Sequence, residues 1–498
     1  MPSSAPSIKR NYLFNAAYQL LKLLTPLIST PYLSRILSAE GVGYYSYTYS
    51  IANVFFLLAI LGMENYGVRL IASAGGRRGE RTRLFWGAYC SQLLLGFLSL
   101  GCYLVFCLTA EATYYPLDLL WSFWIISAMV DISWLFFGMQ NFRMPAIRSS
   151  LMKLVTVAAI FAFVKQRSDL WIYILIVSAG TLAEQLSLWP FARKYIDAYK
   201  PTFREITKHV KPNLMLFVPV IAINCYTTVD KIILGSLSTM EQVGFFEYSE
   251  KMSRMPLTLI TALGTVSLPR LSQVWRAGDR DSALSFISRS IWVTQFVALA
   301  FSFGILGISA EFVPVFFGTG FEECEALMPV LGLIIPAIAL TNVIGTHYLL
   351  PNHLDSTYTL SVSIAAVVNI IMNFALGSRL GAMGAAVAMV VTEYVVLAVQ
   401  LHAVKGNLPI RNYLLTCLPF CLCGICMAAF MRLLSVGVTG LLGVSVLAVI
   451  FEFVGGALFY LVAIAAWGCL TRDRHFFELV ETIGKIVRIK FLLARKDR

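Results

Sequence analysis

The chain has 498 residues, of which 58% are hydrophobic and only 13% are charged, whereas soluble domains are typically about 25% charged. The mean hydropathy of +0.74 and the repeated long apolar runs exclude a string of soluble domains and predict a polytopic membrane protein. The formal net charge of +12 would suit a nucleic-acid partner, but the cations cluster in short loops between apolar runs, as membrane topology requires. We therefore expect membrane lipids, and no nucleic acid, as partners.

Apolar runs along the chain predict an all-α polytopic membrane protein with about fourteen transmembrane helices. The segment MPSSAPSIKR leads into an apolar stretch that is too long for a signal peptide and lacks a small-residue cleavage site, so the first helix should be retained. The predicted spans are 11–36, 43–73, 84–109, 115–139, 150–165, 170–190, 213–235, 245–269, 287–309, 326–350, 357–377, 380–403, 412–432 and 438–469.

The distribution of Lys and Arg predicts the orientation. If the N-terminus lies inside, the inner segments and the adjacent helix ends hold 28 of the 39 Lys and Arg residues, and the outer loops hold four, one of them Arg432. An excess of cations on one side marks the cytoplasmic face. The sequence therefore predicts an even number of spans with both termini in the cytoplasm.

The first two spans, 11–72, carry charges and breaks that a lipid-facing hairpin does not need. Pro26 and Pro31 interrupt the first span, and neighbouring helices or water must satisfy the backbone groups that a proline leaves open. The same stretch carries the charged residues Lys22, Arg35, Glu64 and Arg69, besides Glu40 between the two spans. We interpret this hairpin as part of a cationic, water-filled path.

An internal repeat links the two halves of the chain. EGVGYYSY at 40–47 aligns without gaps with EQVGFFEY at 241–248, an offset of 201 residues. In both copies the motif follows an interrupted helix and opens the next one, and the same offset places Arg270 on Arg69. Six spans separate the copies, so both have the same orientation, and two pseudo-symmetric six-helix lobes with a substrate site between them are predicted. The predicted domains are an N-lobe at 1–200, a C-lobe at 201–410, two extra spans at 411–470 and a basic cytoplasmic tail at 471–498.

Cations inside the predicted spans form the candidate substrate-binding set. A charge at the bilayer centre costs about 2.5–3.5 kcal/mol, so each cation must be paired, reach the interface or face water. Lys22 and Arg254 lie deepest, which favours a water-filled cavity. For the others, a position at the membrane interface remains an alternative. The full set is Lys22, Arg35, Arg69, Lys231, Arg254 and Arg270.

Acidic residues inside the spans are candidates for charge partners or coupling sites. Glu247–Lys251 and Glu250–Arg254 have the i,i+4 spacing of helical ion pairs. The neighbours Asp230 and Lys231 cannot face each other and need partners on other helices. Three acids have no cation within helical reach. Each is a protonated core carboxyl, a cross-helix partner or a proton-coupling site. The full acidic set is Asp131, Glu184, Asp230, Glu250 and Glu393.

Enzyme chemistry finds no support in the motifs. The sequence contains no phosphate-cradling glycine loop, no zinc-ligand spacing and no nucleophile elbow. Four cysteines between 417 and 426 lie on one apolar helix without a histidine partner, which indicates helix packing. We therefore expect no catalytic activity, no metal and no cofactor.

Several longer stretches resemble one transporter family. They are LLTPLISTPYLSRILSAEGVGYYSY and GMENYGVRLIA in the first 72 residues, DKIILGSLSTMEQVGFFEYSEKM at 230–252, LPRLS at 268–272, LLPN at 349–352 and GAMGAAVAMVVTE at 381–393. In these residues the chain is similar to the oligosaccharide flippases (Wzx or RfbX type) of the multidrug/oligosaccharidyl-lipid/polysaccharide superfamily. The pair Asp230–Lys231 matches the family pattern.

The resemblance implies a specific role. It implies two six-helix lobes plus two extra helices, and export of an undecaprenyl-pyrophosphate-linked oligosaccharide across the bacterial inner membrane. For this export we hypothesise alternating access, with return of H+ or Na+ through Glu393 or Asp230. We expect polysaccharide polymerase and chain-length proteins as partners. Neither the sugar nor the oligomeric state follows from it.

Three alternatives remain from the sequence. A cation-coupled drug or metabolite antiporter of the same superfamily should have an acidic cavity, whereas the bias here is cationic. A membrane-embedded glycan polymerase or ligase usually needs large outer loops, and the longest predicted here is 311–326. A scaffold that recruits assembly enzymes could use the tail 472–498, for which we favour an amphipathic helix on anionic lipid.

Overall fold

The structure is a computed structural model, and it is all-α in the part of the chain that it describes. It describes the backbone of residues 8–109, 115–258, 260–261, 271, 273–275, 277–473, 475–478 and 481, and within these ranges the side chains from residue 24 onward, except at 115, 216, 218–220, 222–223 and 225–226. This confirms the predicted fold class for these residues.

Eighteen α-helices are named here in chain order. They are α1 (Ile8–Ile60), α2 (Met63–Ser73), α3 (Arg78–Thr109), α4 (Tyr115–Leu120), α5 (Ser122–Val130), α6 (Ser133–Gly138), α7 (Arg143–Phe163), α8 (Leu170–Leu186), α9 (Trp189–Ala192), α10 (Phe203–Thr207), α11 (Val210–Leu237), α12 (Met240–Arg254), α13 (Arg280–Phe316), α14 (Cys324–Gly332), α15 (Ile334–Ile344), α16 (Asp355–Val404), α17 (Ile410–Leu442) and α18 (Val446–Thr471). A 3₁₀ turn at Arg167–Asp169 precedes α8, and a π-helix at Gly345–Leu349 follows α15.

Within the described residues, ten helical stretches are long and apolar enough to cross a membrane. Two of them, Leu24–Ser73 and Asp355–Val404, have 50 residues each. At about 1.5 Å per residue, each stretch contains about 75 Å of helix along its chain. This is more than twice the hydrocarbon thickness of about 30 Å. Non-helical residues interrupt both, Ser38 (φ 60°) in α1 and Gly381 (φ 55°) in α16. Both breaks lie within two residues of a predicted junction between spans, whereas the total of fourteen stays a prediction.

Two cations lie deeper in helices than the sequence indicates. The thirteenth span is predicted to end at 432, but α17 continues to Leu442, so the prediction that Arg432 lies in an outer loop is wrong. The predicted spans place Arg148 in an inner segment, yet it follows the start of α7 by five residues. In both cases polar side chains of neighbouring helices satisfy the cation, and the helix continues through a position that hydropathy alone marks as a loop.

The repeat predicted from the sequence has the same local structure in both copies. In the first copy the chain leaves helical geometry at Ser38. The offset of 201 residues places Ser38 on Thr239, which is non-helical and directly precedes α12. Each motif therefore follows a helix break and opens a new helix, as the sequence predicts.

The two copies of the motif pack against each other, backbone to backbone. The Gly43 backbone faces the carbonyl oxygen of Met240, and the Gly244 backbone faces that of Ala39, both so closely that a methyl group on either glycine would overlap the oxygen. The offset of 201 maps Gly43 onto Gly244 and Ala39 onto Met240. Each glycine thus meets the residue equivalent to the one that its counterpart meets. Such reciprocity is the property of a two-fold interface, and small residues allow this close helix approach.

The chain folds into two compact units. The first consists of Met1–Tyr248, Phe317–Gly320 and Ala365–Ala388. Its core holds the buried aromatic side chains of Phe85, Tyr103, Trp121 and Trp134. Both motif copies belong to this unit up to residue 248.

The second unit consists of Ser249–Phe316, Phe321–Ile364 and Met389–Arg498. In its core the aromatic side chains of Trp292 and Phe420 join α13 to α17. The lobe boundaries that the sequence suggests at 200 and 410 stay a prediction, and most of the tail 471–498 lies outside the described residues.

The basic segment 191–212 is docked onto the predicted cytoplasmic end of α3. Arg78 forms an ion pair with Asp197 (2.7 Å), and Arg83 forms one with Glu205. Glu205 also closes a capping box, because its carboxylate accepts from the backbone N–H of Thr202 at 2.8 Å. The hydrogen bond from the Thr202 backbone, and to a smaller extent the one from Arg83, lower the pKa of Glu205 to about 2.

His209 lies at the end of this docked segment, directly before α11. It is 2% exposed, and its Nδ1 lies 2.5 Å from the hydroxyl oxygen of Tyr66. Burial, with a smaller contribution from Lys208, lowers the pKa of His209 from 6.5 to about 4. The folded state therefore holds the imidazole neutral at pH values where the unfolded chain protonates it.

Acidification should weaken the fold through His209. Because the folded pKa is lowered, its contribution is fully present above the unfolded pKa and is lost as the pH falls towards the folded value. Between about pH 7 and 5 the free energy of unfolding should fall by about 2 kcal/mol from this group. The measurement is the apparent midpoint of thermal unfolding against pH, for the wild type and His209→Gln. His209→Gln should reduce the slope, and the exposed control His402→Gln should leave it unchanged; equal slopes in all three proteins would contradict the prediction.

The motif contact predicts a large effect of one methyl group. Gly43→Ala places a Cβ into the carbonyl of Met240, and forcing atoms into a packed site costs about 1–3 kcal/mol or more. The purified variant should unfold at a lower temperature than the wild type. Gly101 in α3 has no atom within 4 Å of the added Cβ, so Gly101→Ala should be neutral or stabilising by about 0.5–1 kcal/mol. A Gly43→Ala protein as stable as Gly101→Ala would show that the helices are not in contact there.

Candidate functional site

The motif contact continues into a buried polar cluster in the first unit. The Ser46 hydroxyl donates to the Glu247 carboxylate at 2.8 Å, and Lys231 forms an ion pair with the same carboxylate. The offset of 201 maps Ser46 onto Glu247, so equivalent positions of the two copies meet each other. The Lys231 and Glu247 side chains are only 13% and 15% exposed. The Glu247 carboxylate therefore links the two copies. Because it is largely buried, removing its cationic partner would be costly.

Asp230 is fully buried next to Lys231 in sequence, and it contacts a different helix. Its Oδ1 accepts a hydrogen bond from Asn373 Nδ2 at 2.8 Å. Asn373 lies on α16 within the first unit, and its amide also donates to the Asn369 backbone carbonyl. This confirms that the two neighbours Asp230 and Lys231 find separate partners rather than each other.

Arg254 lies between two carboxylates in the second unit. Its Nε donates to Glu250 at 2.7 Å, which confirms the predicted i,i+4 pair. Its Nη2 lies 3.8 Å from Glu393 Oε1, which comes from α16. The two acids are 6% and 4% exposed, and Arg254 is 28% exposed. With all three groups ionised, this triad would carry a net charge of minus one in a largely buried place.

Glu184 and Asp131 are placed in the interior of the first unit. Glu184 accepts from Ser149 at 2.6 Å and pairs with Arg148 at 3.3 Å, so its partner is a cation on another helix. Asp131 accepts from the backbone N–H of Ser133 at 2.8 Å, where the chain breaks between α5 and α6. The contact of Asp131 is local, with the i to i+2 spacing of an Asx turn.

The remaining candidate cations are dispersed. Arg35 is exposed, and its guanidinium donates to the Pro31 carbonyl at 2.6 Å. Arg69 is exposed on α2. The side chain of Lys22 and the whole of Arg270 lie outside the described residues, so the alignment of Arg270 on Arg69 stays a prediction.

Sequence reasoning missed several members of these clusters. The candidates lack Ser46, Asn373 and Arg148, and the sequence pairs Glu247 only with Lys251. The repeat contains a signal for the Ser46–Glu247 contact, because the alignment places Ser46 on Glu247 and equivalent positions meet on a two-fold axis. For Asn373 and Arg148 the sequence carries no such signal, since their partners lie more than 30 residues away on other helices.

A protein-family model matches the first half of the chain. Residues 8–275, which are 268 of the 498, match the family model described as polysaccharide biosynthesis protein. The chain belongs to the polysaccharide biosynthesis protein family. The match contains both copies of the repeated motif.

Two relatives of the chain bear the name of O-antigen transporters. A relative of Escherichia coli (strain K12) that bears the name of an O-antigen transporter is 22% identical over 82% of this chain and 99% of its own length. A second relative with the same name, from Shigella dysenteriae, is 22% identical over 80% of this chain and its full length. Among solved structures, the lipid II flippase MurJ in an inward closed conformation has a TM-score of 0.71 at 18% identity, covering 93% of this chain and 100% of its own. That likeness establishes the fold.

The ion pair between the motif copies should be energetically coupled. Removing one member of a buried pair costs up to about 3–5 kcal/mol, because the other is left buried, whereas replacing both by apolar groups is often close to neutral. Lys231→Met and Glu247→Leu should each lower the apparent unfolding midpoint, and the double variant should lose less than the sum. The exposed pair Arg77–Glu80 is the matched control, with an expected coupling of about 0–1 kcal/mol. Additive losses at Lys231 and Glu247 would contradict the pairing.

Proposed function

We propose that this protein is a flippase that moves an undecaprenyl-pyrophosphate-linked oligosaccharide from the cytoplasmic to the outer face of the bacterial inner membrane. The observation that carries the proposal is the two-fold contact of the repeated motifs in a chain of the polysaccharide biosynthesis family. A transporter built from repeats can close one end of its pathway by bringing equivalent helices together, and open it by separating them. The names of the relatives support this class of substrate.

The substrate explains why a membrane protein would keep so many intramembrane cations. A pyrophosphate cannot cross hydrocarbon unaided, because removing its water costs tens of kcal/mol. Guanidinium groups replace that water by bidentate hydrogen bonds. We propose that the cations identified from the sequence, including Lys22 and Arg254, contact the headgroup during the cycle while the lipid tail remains in the bilayer.

The triad of Arg254, Glu250 and Glu393 offers a way to link substrate binding to an ion. With both carboxylates ionised, they compete with pyrophosphate for the guanidinium. Neutralising Glu393 by a proton, or screening it by Na+, leaves one carboxylate and makes Arg254 available to the substrate. We propose Glu393 as a coupling residue on this ground, and the other acids, Asp131, Glu184, Asp230 and Glu250, as charge partners.

The membrane potential favours the proposed direction. Moving two negative charges outward across an inside-negative membrane gains about 4–5 kcal/mol per 100 mV, provided that no protein charge moves with them. The proposed orientation has both termini in the cytoplasm, next to the enzymes that build the lipid-linked unit. The exported unit would then be delivered to polysaccharide polymerase and chain-length proteins on the outer side, without a covalent step in this chain.

The function is tested by neutralising two cations together. In a strain that depends on this protein, Lys22→Gln with Arg254→Gln should cause lipid-linked repeat units to accumulate on the cytoplasmic face and surface polysaccharide to fall by at least tenfold. The measurement combines surface polysaccharide with the sidedness of the lipid-linked pool. Normal surface polysaccharide at normal protein levels would refute the cationic pathway.

A matched control separates charge at these sites from total charge. Arg193 and Arg204 are exposed in the segment 191–212, so Arg193→Gln with Arg204→Gln removes the same number of cations. This control should export normally. Because Arg254→Gln removes the cation beside Glu250 and Glu393, Arg254→Lys serves as a second variant, which should retain export if the charge matters more than the fork geometry.

A further inference from the structure

The helices α13, α17 and α18 of the second unit enclose a charge cluster that the transport proposal does not use. Glu311 comes from α13, Arg432 and Ser435 come from α17, and Glu452 comes from α18. The predicted topology places these residues towards the outer side of the membrane. Glycines of α18 pack tightly on α17 one turn away, where a methyl group on Gly456 would overlap the side chain of Met431.

Three of the four residues are joined by polar contacts, because Arg432 and Ser435 both contact the Glu311 carboxylate. Arg432 Nη1 lies 3.6 Å from Glu311 Oε2, and the Ser435 hydroxyl donates to the other Glu311 oxygen. Arg432 Nη2 donates to the Leu306 carbonyl at 3.1 Å and lies 3.4 Å from the Ser309 hydroxyl. Glu311 is 12% exposed, whereas Arg432 is 44% exposed. One cation therefore balances one carboxylate, and it links the cluster to the surface.

Glu452, the fourth residue of the cluster, takes no part in these contacts. Its side chain is 0% exposed. Among the described residues neither of its carboxyl oxygens makes a hydrogen bond. The charges of Glu311 and Arg432 act on it, and the Ser435 hydroxyl beside it already donates its proton to Glu311. A buried carboxylate without its own donor or cation is strongly disfavoured, whereas a protonated carboxyl is tolerated.

We infer that Glu452 is a proton-binding site, shared with the Glu311–Arg432 pair and reached through the exposed side of Arg432. When Glu452 is protonated, Glu311 and Arg432 cancel and the cluster is neutral. When Glu452 loses its proton to water, the cluster carries one negative charge inside the helix bundle. The balance requires nothing except the proton, which moves between the carboxyl oxygen and the solvent.

A proton fits this cluster better than a metal ion. Hard cations such as Ca²⁺ need about six or more oxygen ligands at short distances. In the part of the chain that the structure describes, no group of three acidic, histidine or cysteine side chains is arranged to hold a metal. A proton needs one oxygen, and Glu452 supplies two.

The consequence for transport rests on the proposed flippase function. A proton taken up at Glu452 from the outer side removes the buried negative charge from the junction of α17 and α18 with α13. Transport would then respond to the outer pH through a site separate from Glu393, on the two helices that lie outside the internal repeat.

The direct test is infrared spectroscopy of the protonated carboxyl C=O stretch in the purified, full-length protein. At neutral pH the wild-type spectrum minus the Glu452→Gln spectrum should contain a band that shifts in D₂O, which is the contribution of the protonated Glu452. Gln has nearly the shape of the protonated acid, so the fold should persist. Glu322, which is exposed, is the control, and Glu322→Gln should leave the band unchanged. Equal bands in the wild type and Glu452→Gln would overturn the inference.

Two further variants test the charge balance without replacing Glu452. Glu311→Gln leaves one carboxyl for Arg432, so Glu452 should ionise and the band should be lost. Arg432→Gln removes the cation, so Glu311 should also be protonated and the band should grow about twofold. A band that is unaffected by both changes would overturn the shared site even if Glu452→Gln failed to fold.

Transport is a separate readout. Flipping of a lipid-linked oligosaccharide in proteoliposomes should vary with outer pH in the wild type and much less in Glu452→Gln. If the infrared band behaves as expected but no flipping occurs in any protein, the proton site stands and the proposed function is wrong. If flipping occurs with the same pH dependence in both proteins, the coupling role is refuted.

Discussion

The close approach of two helix backbones at Gly43 and Gly244 is the constraint on which the first unit depends. Only hydrogen atoms separate each glycine from the carbonyl it faces, so no side chain fits at either position. This approach brings Ser46 and Glu247 together, and with them Lys231. A dehydrated contact between backbones gains stability mainly from dispersion and packing, whereas the ion pair beside it fixes which positions of the two helices meet.

Several buried charges among the described residues occur in groups that nearly cancel. Lys231 pairs with Glu247 and Arg148 with Glu184. Arg254 lies between two carboxylates, and the Glu311–Arg432 pair has Glu452 beside it. The difference has a physical meaning, because a pair is neutral at any ordinary pH and a group of two acids and one base is neutral only after it takes up a cation. The first kind suits a fixed structural contact. The second suits a site that exchanges a proton, or that releases its arginine to an anionic substrate.

Hydropathy and the internal repeat predict much of the fold. Long apolar runs predict the helices, and the breaks at Ser38 and Gly381 lie close to predicted junctions between spans. The 201-residue offset predicts two equivalent helix openings. The boundaries are less well predicted, as Arg432 shows. A hydropathy scale assigns a cation such as Arg432 to a loop, because it takes no account of a partner on a neighbouring helix. Here that partner is Glu311.

The sequence by itself determined the class of protein, the repeat and the local pair Glu250–Arg254, because these depend on composition and on spacing along one helix. Only the tertiary structure decided that Glu247 is the partner of Lys231, that Glu393 is the second acid beside Arg254 and that Asp230 meets Asn373. It also revealed Glu452 as a buried carboxyl beside an existing ion pair. Partners on different helices are chosen by packing, and a single sequence carries no record of which faces pack together.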